Sequence, residues 1–158
     1  MLIGQGQEEA TGPSAQFGLK FDPNGVRETY AKMFLTLWNC YKFHADYAAL
    51  DNFNPEASDC SVESRSSLDR WILSKLNTVA VDYHAQFEGW DFHKACRDLE
   101  EFVVNDLSNW YVRRSRRRLW DEGGSADKLA CQHTLHDVLT TLCRLIAPVS
   151  PFMVDEIY

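Results

Sequence analysis

The stretch Ser66-Ser67-Leu68-Asp69-Arg70-Trp71-Ile72-Leu73-Ser74-Lys75-Leu76-Asn77-Thr78-Val79-Ala80-Val81-Asp82-Tyr83-His84-Ala85-Gln86-Phe87-Glu88-Gly89 decides the fold. Leu68, Ile72, Leu76, Val79, Tyr83 and Phe87 recur at helical steps along one face. The hydroxyls of Ser66-Ser67 supply a start and Gly89 a stop. An amphipathic helix this long must bury its stripe against other helices or a sheet, and the flanking sequence offers only helices.

Upstream, Phe21-Asp22-Pro23 reads as a helix start, with Asp22 as cap and Pro23 in the first turn. Val26, Tyr30, Phe34, Leu37, Trp38, Tyr41, Ala45 and Ala48 then predict one amphipathic helix of about seven turns. Residues 51–66 are rich in Asn, Pro, Glu, Ser and Asp without an apolar period, which predicts a loop of about 15 residues, long for a bundle. Downstream, Asp91 caps a third helix whose stripe is Ala95, Leu99, Phe102, Val103 and Leu107. Helical character continues to about Trp120, with a break expected at Asn105 to Asn109.

Asp121-Glu122-Gly123-Gly124 reads as a turn. Ser125 caps a fourth helix with Leu129, Leu135, Val138, Leu139, Leu142, Leu145 and Ile146 inward. Pro148 and Pro151 end it and lead into a short helix, Phe152 to Tyr158. There is no strand-like alternation and no internal repeat. The fold expected is all-α: an antiparallel helix bundle of four long helices plus a short C-terminal helix, spanning residues 21–158. Residues 1–20 read as a linker or appended arm. The helical pattern is still running at Tyr158, so a domain cut from a longer chain is expected.

Composition narrows the function classes. The chain has 158 residues, is 45% hydrophobic and 13% aromatic, and carries 23 acidic against 16 basic side chains, a net charge of −7. That apolar content excludes wholesale disorder, and the acid excess argues against a general nucleic-acid binder. No apolar run approaches the roughly 20 residues of a bilayer span. Met1 to Gln16 lacks the basic start and apolar stretch of a secretion signal, so a cytoplasmic protein is expected. The five cysteines form no CxxC pair, which suits free thiols in a reducing compartment. Cys131, His133 and His136 share one region but read as ordinary helix residues rather than metal ligands.

No Gly-rich phosphate loop, HExxH or Gly-x-Ser-x-Gly occurs. The pairs Glu100-Glu101 and Asp121-Glu122 read as solvated faces, and His44, His84 and His93 have no placeable partner. No catalytic centre and no metal site are expected in this chain.

The basic run is different in kind. Arg113, Arg114, Arg116, Arg117 and Arg118 fall within six residues, and with Asp106 they leave residues 105–120 at +4 while the rest of the chain carries −11. At about 100° per helical residue, Ser108, Val112, Ser115 and Leu119 share a narrow face while the arginines fan around the remainder. Trp110 falls among Arg113, Arg114 and Arg117. An aromatic ring amid guanidinium groups suits stacking on bases and pairing with phosphates. The same pattern also fits arginines that pair with the bundle's own carboxylates, with Trp110 in the core, and both readings stand at this point.

The run Phe102-Val103-Val104-Asn105-Asp106-Leu107-Ser108-Asn109-Trp110-Tyr111-Val112-Arg113-Arg114-Ser115-Arg116-Arg117-Arg118-Leu119-Trp120 closely resembles the anticodon-binding domain of isoleucyl-tRNA synthetases. Phe34-Leu35-Thr36-Leu37-Trp38-Asn39-Cys40-Tyr41 resembles the first helix of that domain in the isoleucine, valine and leucine enzymes. Leu68 to Asn77 resembles the second, and Leu145-Ile146-Ala147-Pro148-Val149-Ser150-Pro151-Phe152-Met153 the end of the bundle. The resemblance covers about Phe21 to Tyr158, and the Asn-Trp-Tyr-x-Arg-Arg-Ser-Arg-Arg-Arg run points to the isoleucine enzyme.

The resemblance implies a class I ligase that joins isoleucine to its tRNA with ATP and Mg²⁺. Those cofactors serve a catalytic domain that is not in this chain, and the editing domain is also absent. No cofactor is expected here. The partners implied are isoleucine tRNA, through its anticodon stem-loop, and the catalytic domain of the same enzyme. No membrane partner is implied, and the bundle is expected to be monomeric. The tRNA-binding residues implied are Trp38, Asn39 and Lys42 on the first helix, and Trp110, Arg113, Arg114, Arg116, Arg117 and Arg118 on the basic run. The arginines dock the catalytic domain in the alternative reading, in which tRNA is contacted elsewhere.

Overall fold

A computed structural model describes residues 23–56, 60–121 and 123–158, with the side chain of Val26 left out. The expected Asp22 cap and the arm over residues 1–20 lie outside the described residues. Among the described residues there are seven α-helices: α1 (Pro23–Thr29), α2 (Leu35–Leu50), α3 (Ser67–Glu88), α4 (Phe92–Glu101), α5 (Arg113–Leu119), α6 (Ala126–Ile146) and α7 (Pro151–Ile157). A π-helical segment, Tyr30–Phe34, joins α1 to α2, and a second, Phe102–Val112, joins α4 to α5. The result is four long helical rods, the first over residues 23–50, the second α3, the third over residues 92–119 and the fourth α6, followed by the short terminal helix α7, with no strand among the described residues. This is the all-α bundle that the periodicity predicts.

Sequence-local chemistry sets the helix starts. Ser66 and Asp69 form a reciprocal capping box on α3, Asp91 accepts from the Lys94 amide, and Ser125 accepts from the Lys128 amide. The end of α3 differs from expectation. Gly89 has an ordinary φ of −79°, and Trp90 takes the left-handed conformation at φ 62°. An aromatic residue there is strained.

Contacts between rods give the topology. Gln86 donates to Asp98 across the tip between α3 and α4, and Tyr111 and Arg118 reach back to Asp69, so these rods are antiparallel. Lys128 and Gln132 on α6 bind Asp51 at the end of α2, which sets α6 antiparallel to the first rod. Lys32 pairs with Glu100 at the other end of the first rod, so the first and third rods run parallel. Rod one packs on rod three and α6 but makes almost no contact with α3. The end of α2 and the start of α3 therefore stand diagonally across the bundle, a crossing that accounts for the length of the connection between them.

Two anchors hold that crossing. Arg65, buried, pairs with Asp137 at 2.6 Å and donates to the Cys60 carbonyl at 3.0 Å. Phe53 packs edge-on against His133 at 4.9 Å between centroids and His44 at 5.9 Å.

The inward face of the first rod is displaced from the expected one. Met33, Leu37, Cys40 and His44 are buried, whereas Tyr30 is 59% exposed. Phe34, Trp38 and Tyr41 are only partly buried against the core. The π turn at Tyr30–Phe34 rotates the remainder of the rod, a shift that counting at α-helical steps does not register.

The break expected near Asn105 is a rewinding instead. Leu99, Val103, Leu107, Tyr111, Ser115 and Leu119 are all buried, at a strict spacing of four. On an α-helix each such step drifts about 40°, so five would carry Leu119 about 200° from Leu99. The wider turns of Phe102–Val112 cancel the drift and keep one stripe on the core for the whole rod.

Burial and the neighbouring His136 lower the pKa of His44 from 6.5 to about 4. The unfolded chain therefore takes up a proton near pH 6.5 that the folded chain refuses. Stability should fall as pH drops from 6.5 to about 4, by up to about 3 kcal/mol. Urea unfolding across that range should show the loss, and His44→Leu should remove it.

Candidate nucleic-acid interface

The rewound stripe decides where the basic run points. With Tyr111, Val112, Ser115 and Leu119 inward, Arg113, Arg114, Arg116 and Arg117 are left exposed. Among the described residues, Arg113, Arg116 and Arg117 have no ion-pair or hydrogen-bond partner. Four guanidinium groups therefore face water on one short helix of an otherwise acidic chain.

Arg118 is the exception, and the structure corrects its assignment as an RNA contact. Its side chain is 15% exposed and grips Asp69 with two bonds of 2.8 and 2.7 Å. It also binds the Asp127 carboxylate at 2.8 Å through both Nε and a terminal nitrogen. A guanidinium held by two carboxylates has neither the charge nor the free donors that a phosphate requires. For this one arginine, internal pairing is the outcome.

Asp69 has no exposed surface, and its carboxylate also accepts from the Tyr111 hydroxyl at 2.5 Å and from Ser66. Burial by itself would raise its pKa. Arg118, Tyr111 and Ser66 more than offset that and hold it below the usual carboxylate range. The Tyr111 hydroxyl is pushed up, first by burial and then by Cys131 and Asp69. Asp69 lies on the apolar stripe of α3, three residues before Ile72. A carboxylate on a core face was the sequence signal that an internal cation had to exist, and a stripe traced through apolar residues alone passes over it.

Trp110 lies among the arginines rather than in the core, at 45% exposed. The Arg114 guanidinium sits 3.6 Å from its ring centroid. Trp71 of α3 stands beside it, with centroids 6.3 Å apart and planes at 55°. One turn away, Lys75 on α3 pairs with Asp106 at 3.7 Å. The exposed strip between α3 and the third rod thus carries a neutralised pair, two indoles and the Arg114 guanidinium, while Arg113, Arg116 and Arg117 are exposed around the same short helix.

The other assigned residues lie on a different rod. Trp38 is half-buried and packs on Tyr41 at 5.3 Å, whereas Asn39 and Lys42 are exposed, Lys42 lying 3.8 Å from Asp46. None of these contacts joins them to the arginine strip. Among the described residues, no three His, Cys, Asp or Glu side chains come together as metal ligands, and no helix is long and apolar enough to cross a membrane.

The two kinds of arginine should separate by stability. Arg113→Ala, Arg116→Ala and Arg117→Ala should each shift unfolding free energy by no more than about 0.5 kcal/mol. Arg118→Ala, which strands a buried carboxylate, should cost roughly 3–5 kcal/mol in urea titrations. Because the folded pKa of Asp69 is depressed, its contribution is present above the ordinary carboxylate range and disappears as pH falls through the folded value. Asp69→Asn should lack that acid limb.

The chain is similar to the isoleucine–tRNA ligase of Porphyromonas gingivalis, 44% identical over 148 residues that cover 94% of this chain and 13% of the relative. It is similar to the same ligase of Bacteroides fragilis at 41% over 148 residues, with the same two shares. It is also similar to that of Clostridium novyi at 44% over 140 residues, 88% of this chain and 13% of the relative. The chain thus spans about an eighth of the length of these relatives. The family model described as the anticodon-binding domain of tRNA ligase matches residues 69–158, from the buried aspartate through the basic run to the last helix, and the chain belongs to that family.

Proposed function

We propose that this chain is the tRNA-recognition module of an isoleucine–tRNA ligase, the enzyme that charges tRNA with isoleucine. The similarity to three isoleucine–tRNA ligases supports the choice of amino acid. The observation that carries the binding role is the exposed row Arg113, Arg114, Arg116 and Arg117 beside Trp110, kept outward by the rewound rod. The guanidinium groups of Arg113, Arg116 and Arg117 would pair with phosphates of the anticodon stem-loop of isoleucine tRNA, the geometry in which arginine outperforms lysine. Asn39 and Lys42, exposed on α2, with the half-buried Trp38 beside them in sequence, form a second candidate contact to the loop.

ATP and Mg²⁺ would be used by the catalytic part of the ligase, and no residue of this chain is assigned to them. The ligase would work in the cytoplasm, and this chain would act as a monomeric module beside its catalytic domain. A second reading has this module dock protein rather than RNA. It draws on Trp90 and Phe92, which protrude at the α3–α4 tip at 80% and 43% exposure.

Filter binding with isoleucine tRNA and one other tRNA at two salt concentrations separates these readings. Binding should weaken with salt as phosphate contacts release counterions. Replacing Arg113, Arg116 and Arg117 together by Ala should weaken it further and flatten the salt slope by about one unit per lost contact. A triple variant that binds as tightly as the parent would remove the arginine strip from the interface.

A further inference from the structure

We propose that Arg114, set over the Trp110 ring, is a preformed stacking plane for an unpaired nucleobase, so that this strip selects looped over duplex RNA. The inference rests on the tRNA-binding reading and says what the strip recognises. Arg113, Arg116 and Arg117 are free cations that any phosphate backbone satisfies, in duplex or in loop. Arg114 is different, because its guanidinium carbon lies 3.6 Å from the Trp110 centroid, which is stacking distance. One face of the guanidinium is covered by indole, and the residue is exposed. A planar cation held in this way offers its other face to a second planar group. A nucleobase is such a group, and arginine planes stack on splayed bases of single-stranded RNA. A base inside a duplex is already stacked on both sides and cannot accept it.

Pre-ordering is what makes the pair more than a loose side chain. A free arginine loses rotamer freedom when it stacks, and resting on Trp110 removes part of that loss beforehand. Trp110 is in turn held by Trp71 at 6.3 Å, and Trp71 packs against the core. The chain of support runs from core to Trp71, to Trp110, to Arg114, to ligand. Trp110 and Trp71 are therefore positioning residues, and Arg114 is the contact. The Lys75–Asp106 pair beside the rings cancels a carboxylate that would otherwise repel the RNA.

Arg114→Lys tests this, because it keeps the charge and removes the plane. The probes are an RNA hairpin with a single-stranded loop, the same hairpin with abasic loop nucleotides, and its stem as a blunt duplex. The parent should prefer the first. Arg114→Lys should lose about tenfold or more for the intact loop and almost nothing for the abasic hairpin or the duplex, with the salt slope kept. Trp110→Leu should reproduce that loss, and Trp110→Tyr should restore most of the preference, with far-ultraviolet circular dichroism unchanged in both. Equal losses on loop and duplex would make Arg114 a phosphate contact and overturn the proposal, as would an Arg114→Lys protein that binds like the parent. A parent that binds no RNA would overturn the tRNA-binding reading, and this proposal with it.

Discussion

A carboxylate with no exposed surface governs how the rods of this bundle meet. Asp69 closes the capping box of α3, accepts the Tyr111 hydroxyl of the third rod and holds two nitrogens of Arg118. Arg118 passes the connection on to Asp127 at the start of α6. Three of the four rods are tied by one network, at the end of the bundle where the basic run lies. A buried ion pair of this kind contributes less to net stability than to register, because desolvation offsets much of its attraction. Its removal from one side alone is what costs most, since the remaining charge stays buried.

The same network sorts the arginines. Arg118 neighbours the buried stripe and turns inward to the carboxylates. Arg113, Arg114, Arg116 and Arg117 make no such pairing among the described residues and face solvent. The sorting works only because the third rod keeps its stripe at a spacing of four through Ser115 and Leu119. An uninterrupted α-helix would rotate the run by more than half a turn relative to Leu99 and drive arginines into the core. The π segment is thus a condition for an outward basic face.

Charge on this molecule has to be read locally. The net −7 is spread over the bundle, while residues 105–120 carry +4, part of which Asp69 and Asp127 neutralise. Long-range attraction toward a polyanion is weak, and approach from the acidic sides is repelled. What remains is a narrow strip between α3 and the third rod, with Trp71, Trp110 and Arg114 at its centre. Such a surface favours an oriented contact over a tight one.

Helix content, the caps at Ser66, Asp91 and Ser125, the turn at Gly123-Gly124 and the division into four long rods were all legible in the sequence. Each depends on neighbours within a few residues and on an apolar period. The basic run and its aromatic companion were legible for the same reason, as was the match to a family. Three things were decided only by tertiary structure. The core face of the first rod moved to Met33, Cys40 and His44 because a π turn changes the angular step. Arg118 parted from its four neighbours because its partner, Asp69, is 49 residues away in sequence. Trp110 met Trp71, 39 residues away in sequence, because the rewound rod brought it to the α3 face. Local sequence can specify a helix and its charges. Which charge is buried depends on what stands opposite, and that is set when the rods pack.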